Sequence, residues 1–386
     1  MLFIKNGKIY TMTGEIIENG SILVEDGKIK AIGKDVIAPS DAEIIDAKGS
    51  IVMPGFVESH CHLGLSEDGI GFEGNDVNEH TDPVMPQLNA KDGVNPMDKT
   101  LKEAYEAGIT TATTGPGSAN VVGGQFVVIK TYGNRVDDML IKDPAAMKVA
   151  FGENPKRVYN SKKKSPMTRM AIAAMLRETL FKAKEYQEKL DKSKEDESKK
   201  PDFDIKLEAM TKVIKKEIPL KAHAHRADDI FTALRIAKEF DVDITIDHCT
   251  DGHLIADYLA EEGKGCIVGP TLGHRSKFET KNKTFETLDI LNKAGVKVAI
   301  TTDSPVVPLH YLPLCAGKAV KAGMDEMEAL KAITIYPAEI LGLQDRIGSL
   351  EVGKDADIVI FDGNPIMDVD CKTLVTIIDG KIVYKA

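Results

Sequence analysis

Residues suited to metal chemistry recur at matching places along this chain. His60 and His62 close the run PGFVESHCH (54–62), His223 and His225 lie in LKAHAHR (220–226), His248 ends ITIDH (244–248), and Asp303 ends VAITTD (298–303). On a strand, alternate side chains share a face, so His60 and His62 point the same way, as do His223 and His225. Neutral imidazoles with a carboxylate form a ligand set suited to zinc, manganese, iron or nickel. Each of these runs is a stretch of apolar residues ending in the polar ones. Ordinary buried histidines would not share that position, so the pattern points to a metal site.

The elements that must position these residues alternate in type. Apolar strands are expected at 51–57, 109–114, 126–131, 147–151, 219–223, 242–248, 265–269 and 297–302. Amphipathic helices are expected at 98–107, 167–191, 204–216, 227–239, 251–262 and 284–294. Eight strands with helices between them predict an α/β fold, a (β/α)8 TIM-like barrel, whose chemistry sits at the C-terminal strand ends. A doubly wound sheet is the alternative, but no GxGxxG follows a first strand. The charged stretch from Ala183 to Lys200 reads as a solvated helix running into a linker.

Both ends of the chain read as short strands and tight turns. Asn6-Gly7, Glu25-Asp26-Gly27 and Asp379-Gly380 are hairpin dipeptides or tripeptides between apolar runs. The expectation is a small composite β-sandwich domain from residues 1–53 plus 350–386, with the barrel occupying 54–349.

The balance of 50 Lys and Arg against 60 Asp and Glu gives a net charge of −10, which disfavours a nucleic-acid surface. With no Trp and 5% aromatic residues, platforms for stacking bases are also disfavoured. No run of apolar residues is long enough for a membrane helix. The five cysteines are scattered without a CxxC and suit a reducing compartment. The N-terminal residues lack a signal-peptide pattern, so the expected location is the cytoplasm.

These motifs, with TTDSP (301–305) and IGSLEVGKDADIVIFDGNP (347–365), resemble the amidohydrolase superfamily of metal-dependent hydrolases along nearly the whole chain. The likeness is greatest to the branch containing imidazolonepropionases and Xaa-Pro dipeptidases. It implies His60, His62, His223, His248 and Asp303 as metal ligands, with one or two divalent ions and zinc the first choice. Binuclear relatives bridge their metals with a glutamate or a carbamylated lysine. In MKVAFGENP (147–155) the two positions for that role are Glu153, favoured at the strand end, and Lys148. The reaction implied is C–N bond cleavage in a cyclic or peptide-like amide, by metal-activated hydroxide. Asp303 would move the proton, and the metal or a nearby histidine such as His248 would polarise the carbonyl.

One departure bears on substrate. Deaminases and imidazolonepropionases of the superfamily carry Glu three residues after the first histidine of the fifth strand, and here that residue is Arg226. A cation cannot shuttle protons as a glutamate does, but it suits a substrate carboxylate; pairing with Asp228 or Asp229 is the other reading. His225, His274, Arg275, Arg169 and Gln125 are further substrate-contact candidates. The expected partner is a small molecule, and relatives often form homo-oligomers. The alternatives are a mononuclear deaminase of a nitrogen heterocycle and a silent scaffold, the latter disfavoured because every ligand position is filled.

Overall fold

A computed structural model describes residues 1–386. The first five strands are β1 (Leu2–Tyr10), β2 (Ile16–Glu25), β3 (Lys28–Gly33), β4 (Glu43–Asp46) and β5 (Ile51–Pro54). The central strands are β6 (Phe56–Cys61), β7 (Ile109–Thr114), β8 (Val122–Lys130), β9 (Leu140–Ala150), β10 (Leu220–Ala224), β11 (Ile244–His248), β12 (Cys266–Val268) and β13 (Val298–Ile300). The chain closes with β14 (Ile358–Phe361), β15 (Thr373–Ile378) and β16 (Lys381–Lys385).

Strands β6 to β13 lie side by side in sequence order as a nearly closed, barrel-like sheet. Seven of them run parallel, and β8 runs antiparallel to both β7 and β9. The expectation of eight parallel strands is therefore corrected. Residues 115–121 and 131–139 are too short for the crossover of about a dozen or more residues that a parallel return needs, so β8 must come back as a hairpin strand. The remaining expected helices form close to their predicted bounds. Ala227–Phe240 shows the reason: it buries Ile230, Ala233, Leu234 and Ala237 along one face, and Asp241 ends it in the left-handed region at φ 53°. The helix Arg169–Ser193 is less solvated than its charge suggests, because Ala183, Tyr186 and Gln187 are buried.

No ladder of strand hydrogen bonds joins β6 to β13, and side chains close the ring there instead. Glu58 is fully buried. One of its carboxylate oxygens accepts from His60 N at 2.9 Å, and the other from Thr302 N at 2.9 Å and Thr302 Oγ1 at 2.7 Å. Thr301 Oγ1 donates to His60 O at 2.6 Å, and His62 N to Ser304 O at 2.8 Å. The seam therefore locks the strand bearing His60 and His62 to the segment bearing Asp303.

The second sheet is assembled from both ends of the chain, in the order β16-β15-β14-β5-β1-β2-β3, with β4 also paired to β1. Asn6-Gly7 is not the turn expected. It is an irregularity inside one long strand, with Asn6 at φ 57° and a register shift on either side of Gly7. The first half of β1 pairs with β4 and the second half with β5. All eight strands thus join one branched sheet, where a two-sheet sandwich was expected. A side chain at Gly7 would place Cβ 2.6 Å from Val52 Cγ2, so the branch needs glycine. The other two hairpins form as read: Asp26-Gly27 and Asp379-Gly380 both have positive φ at both residues. No helix is long and apolar enough to cross a membrane.

The two sheets meet through Lys130 at the end of β8. Its buried ammonium lies 3.0 Å from Asp355 Oδ2, 2.6 Å from Asp357 Oδ2 and 3.2 Å from Asp379 Oδ1. Arg346 also pairs with Asp355, at 2.9 Å. Replacing one partner of a buried ion pair leaves an uncompensated charge, typically at about 3–5 kcal/mol. Lys130→Met should therefore lower stability by about that amount in urea denaturation. A midpoint equal to wild type would show that the cluster does not hold the sheets together.

Candidate metal centre

The barrel brings the five histidines and Asp303 to one end. Their ligand atoms fall into two sets, His60, His62 and Asp303 in one and His223, His225 and His248 in the other, with the atoms of each set within 4.8 Å of one another. The sets adjoin, since the His60 and His248 rings are 5.1 Å apart and those of His223 and His248 4.4 Å. Asp303 Oδ1 lies 3.4 Å from His60 Nε2 and 3.3 Å from His62 Nε2.

Regular alternation along β11 would turn only one of Asp247 and His248 inward. Both face the interior because the chain enters the left-handed region at His248 (φ 71°) and Cys249 (φ 48°). Asp303 is likewise left-handed, at φ 52°. Non-glycine residues in that region cost about 1–3 kcal/mol each and cluster at functional sites.

Each imidazole is oriented through Nδ1. His62 Nδ1 is 2.7 Å from Gly115 O, His248 Nδ1 is 2.7 Å from Gly269 O, His223 Nδ1 is 2.9 Å from Ser118 Oγ, and His225 Nδ1 is 2.7 Å from Thr250 Oγ1. His60 Nδ1 lies 2.9 Å from Asp247 Oδ2. This leaves Nε2 of every ring for the interior, and those of His60 and His248 have no hydrogen-bond partner. An outer partner on one ring nitrogen is the usual way a metal-ligating histidine is held.

Electrostatics keep these groups in ligand form. Burial pushes His60 down, and drives His223, His225 and His248 well below the usual imidazole range, which holds them neutral; neighbouring imidazoles and Lys148 add to the effect. Burial alone would raise Asp303, but the imidazoles of His60, His62 and His248 around it hold it well below the usual carboxylate range. Asp247 is lowered too, because Lys221 and His60 outweigh its burial.

Lys148 is fully buried on β9, and its Nζ has no hydrogen-bond partner. It sits 3.9 Å from Asp247 Oδ2 and 5.6 Å from the centre of the Phe126 ring. Burial lowers its pKa to about 8. Glu153 stands elsewhere: it opens the helix Glu153–Ser161, half-buried and outside both ligand sets. The two candidates for the bridging role thus lie apart: Lys148 is buried beside Asp247, whereas the strand ends at Ala150 and the chain turns at Gly152, which puts Glu153 outside both sets.

The arginines expected near substrate are committed elsewhere. Arg226 precedes its helix and chelates Asp228 at 2.8 and 2.9 Å, and Arg169 is bound to Asp229 at 2.9 to 3.1 Å. His274 and Arg275 lie exposed on the loop after β12, with Arg275 donating to Lys283 O. Gln125 is buried and donates to Pro86 O at 3.1 Å, a packing role.

Four participants were not foreseen. Glu58 and Asp247 share the inward parity of His60 and of Lys221, which alternation could have flagged. Lys221 anchors Asp247 at 3.1 Å and Ser59 O at 2.9 Å. Glu279 carries no such signal: it comes from the loop after β12 and reaches within 3.8 Å of both His223 and His225.

A family model described as the amidohydrolase family matches residues 51–383. The chain belongs to the amidohydrolase family. A crystal structure of an amidohydrolase from Thermotoga maritima MSB8 is 42% identical to this amidohydrolase, with a TM-score of 0.97 and 100% of both chains covered. Amidohydrolase tasK of Hapsidospora irregularis is 29% identical over 376 residues, 90% of this chain; the chain spans 38% of that protein's length. The imidazolonepropionase of Geobacillus kaustophilus is 26% identical over 382 residues, 90% of this chain and 84% of that one.

Proposed function

We propose that this amidohydrolase cleaves a C–N bond of a small amide, cyclic or peptide-like, at a site for two divalent ions between its two histidine sets. The observation that carries the reading is the convergence of neutral Nε2 atoms, two of them without any partner, around the ionised Asp303. Buried nitrogens left unpaired are costly unless something binds them. His60, His62 and Asp303 would hold one ion, and the set of His223, His225 and His248 the other. Lys148 would supply a further anionic ligand between the two sets as its carbamate: the neutral amine nitrogen bonds to the carbon of CO2 and releases a proton, leaving an N-carboxylate.

Divalent ions there supply Lewis acidity and lower the pKa of water to about 7. Asp303, ionised beside two imidazoles, takes a proton from the attacking water and delivers it to the departing nitrogen. Asp247 keeps His60 in the tautomer that presents Nε2. With Arg226 and Arg169 engaged, Lys277 is the cation nearest the histidines that could meet a substrate carboxylate. It is partly exposed, and its Nζ is 2.7 Å from Asn154 Oδ1. We also assign residues 54–349 to the catalytic domain and 1–53 plus 350–386 to a composite β domain.

The test is metal content per chain by plasma mass spectrometry on protein prepared without chelator, followed by a panel of dipeptides, acylated amino acids and cyclic ureides. Close to two ions and turnover of at least one amide are expected. No bound ion, or no turnover by metal-replete protein, would overturn the reading.

A further inference from the structure

We propose that Glu279 is a metal ligand, giving the cation at His223 and His225 a carboxylate of its own. This rests on the reading above and extends it, since Glu279 stands outside the ligand set that the family resemblance implies. The residue is 2% exposed, and its Oε1 has no hydrogen-bond partner. That oxygen lies 3.8 Å from His223 Nε2 and 3.8 Å from His225 Nε2. A tetrahedral ion with bonds of about 2.1 Å holds its ligand atoms about 3.4 Å apart, so a shift of about a few tenths of an ångström brings Oε1 to coordination spacing from each imidazole.

The other oxygen is fixed independently. Glu279 Oε2 accepts from Glu153 N at 2.8 Å, at the start of the helix Glu153–Ser161. Gly152 makes room for it: a Cβ there would lie 2.7 Å from Oε2, and its φ is 80°. One oxygen is thus anchored by backbone while the other is aimed at two imidazoles. Lys277 Nζ stays 3.8 Å from Oε1 and spends its hydrogen bond on Asn154, leaving the oxygen open.

Charge gives the assignment its chemical sense. His60 and His62 have Asp303 as a carboxylate of their own, whereas on the side of His223, His225 and His248 the only anion would be the shared Lys148 carbamate. Glu279 supplies an anion to that side, as a divalent transition ion with nitrogen ligands favours.

The experiment is titration of the metal-free full chain with cobalt(II), followed by its visible absorption and by calorimetry, for wild type and Glu279→Gln. The glutamine keeps the carbonyl that accepts from Glu153 N and turns an amide NH2 toward the histidines. The expected result is that one of two cobalt phases weakens by about 10–100-fold with its absorption band shifted, while the other is unchanged. Two phases identical to wild type would overturn the role of Glu279 alone. A wild type that binds no cobalt would overturn the parent reading, which separates the two failures. If the variant does not fold, anomalous scattering from cobalt-loaded wild-type crystals decides: an ion bonded to Glu279 Oε1 supports the proposal, and ions bonded only to other residues overturn it.

Discussion

Asp303→Asn should lower kcat/KM by about 10²–10⁴-fold, the usual worth of a positioned proton-transfer group, on whichever amide the wild type turns over. Asparagine keeps the shape and can still accept at one oxygen, so the left-handed backbone at residue 303 and the seam through Thr301 and Thr302 should survive. What it loses is the anion that His60 and His62 stabilise at 3.4 and 3.3 Å, and with it the ability to take a proton. The loss should fall mainly on kcat, since the residue is needed as bonds change and does little for substrate binding. Metal content measured on the same sample separates loss of proton transfer from loss of an ion. A variant within tenfold of wild type would sink the assignment of Asp303 as the proton carrier.

Lys148→Met should produce the opposite signs in function and stability. The wild-type ammonium is fully buried without a hydrogen-bond partner, an arrangement that costs about 1–3 kcal/mol or more. Methionine has a similar length and no charge to desolvate, so the metal-free variant should be more stable than metal-free wild type by about that amount. Function should collapse: bound metal falls from two ions toward one, and turnover drops by about 100-fold or more. Urea denaturation of the metal-free proteins and metal analysis of the loaded ones read the two effects separately. A variant that loses stability and keeps both ions would show Lys148 to be a packing residue.

The site was legible in the sequence where strand periodicity carries it. The spacing of His60 and His62, and of His223 and His225, follows from alternation alone, and the strand bearing each was placed within a few residues. Alternation fails at His248 and Asp303, where left-handed backbone turns the side chains inward; there the motifs and not the periodicity identified them. Strand-end position favours Glu153 over Lys148 in the sequence, but where β9 stops and the chain turns at Gly152 is not legible there. Arg226 leaves two readings open in the sequence, a substrate carboxylate or a pairing with Asp228 or Asp229, and the structure shows the pairing with Asp228. Its helix places Asp228 close enough to chelate it, a local contact that competes with any substrate. Glu279 could not be read at all, since its loop has no periodicity and its partners lie far away in sequence. In the fold, loop length decides the direction of β8: the segments 115–121 and 131–139 that flank it are too short for a parallel return.

The pairing of β5 with β14 joins residues 51–54 to residues 358–361, and β6, the strand of His60 and His62, follows β5 at once. Both halves of that pairing must exist before the first catalytic strand is anchored at its base. During synthesis, at about 5–20 residues per second, His60 and His62 therefore wait for roughly three hundred further residues to leave the ribosome. Until then β5 is an open edge, a surface on which unfinished chains can pair with one another. On the proposed assignment, metal capture by His60 and His62 is then a late event in the life of the chain.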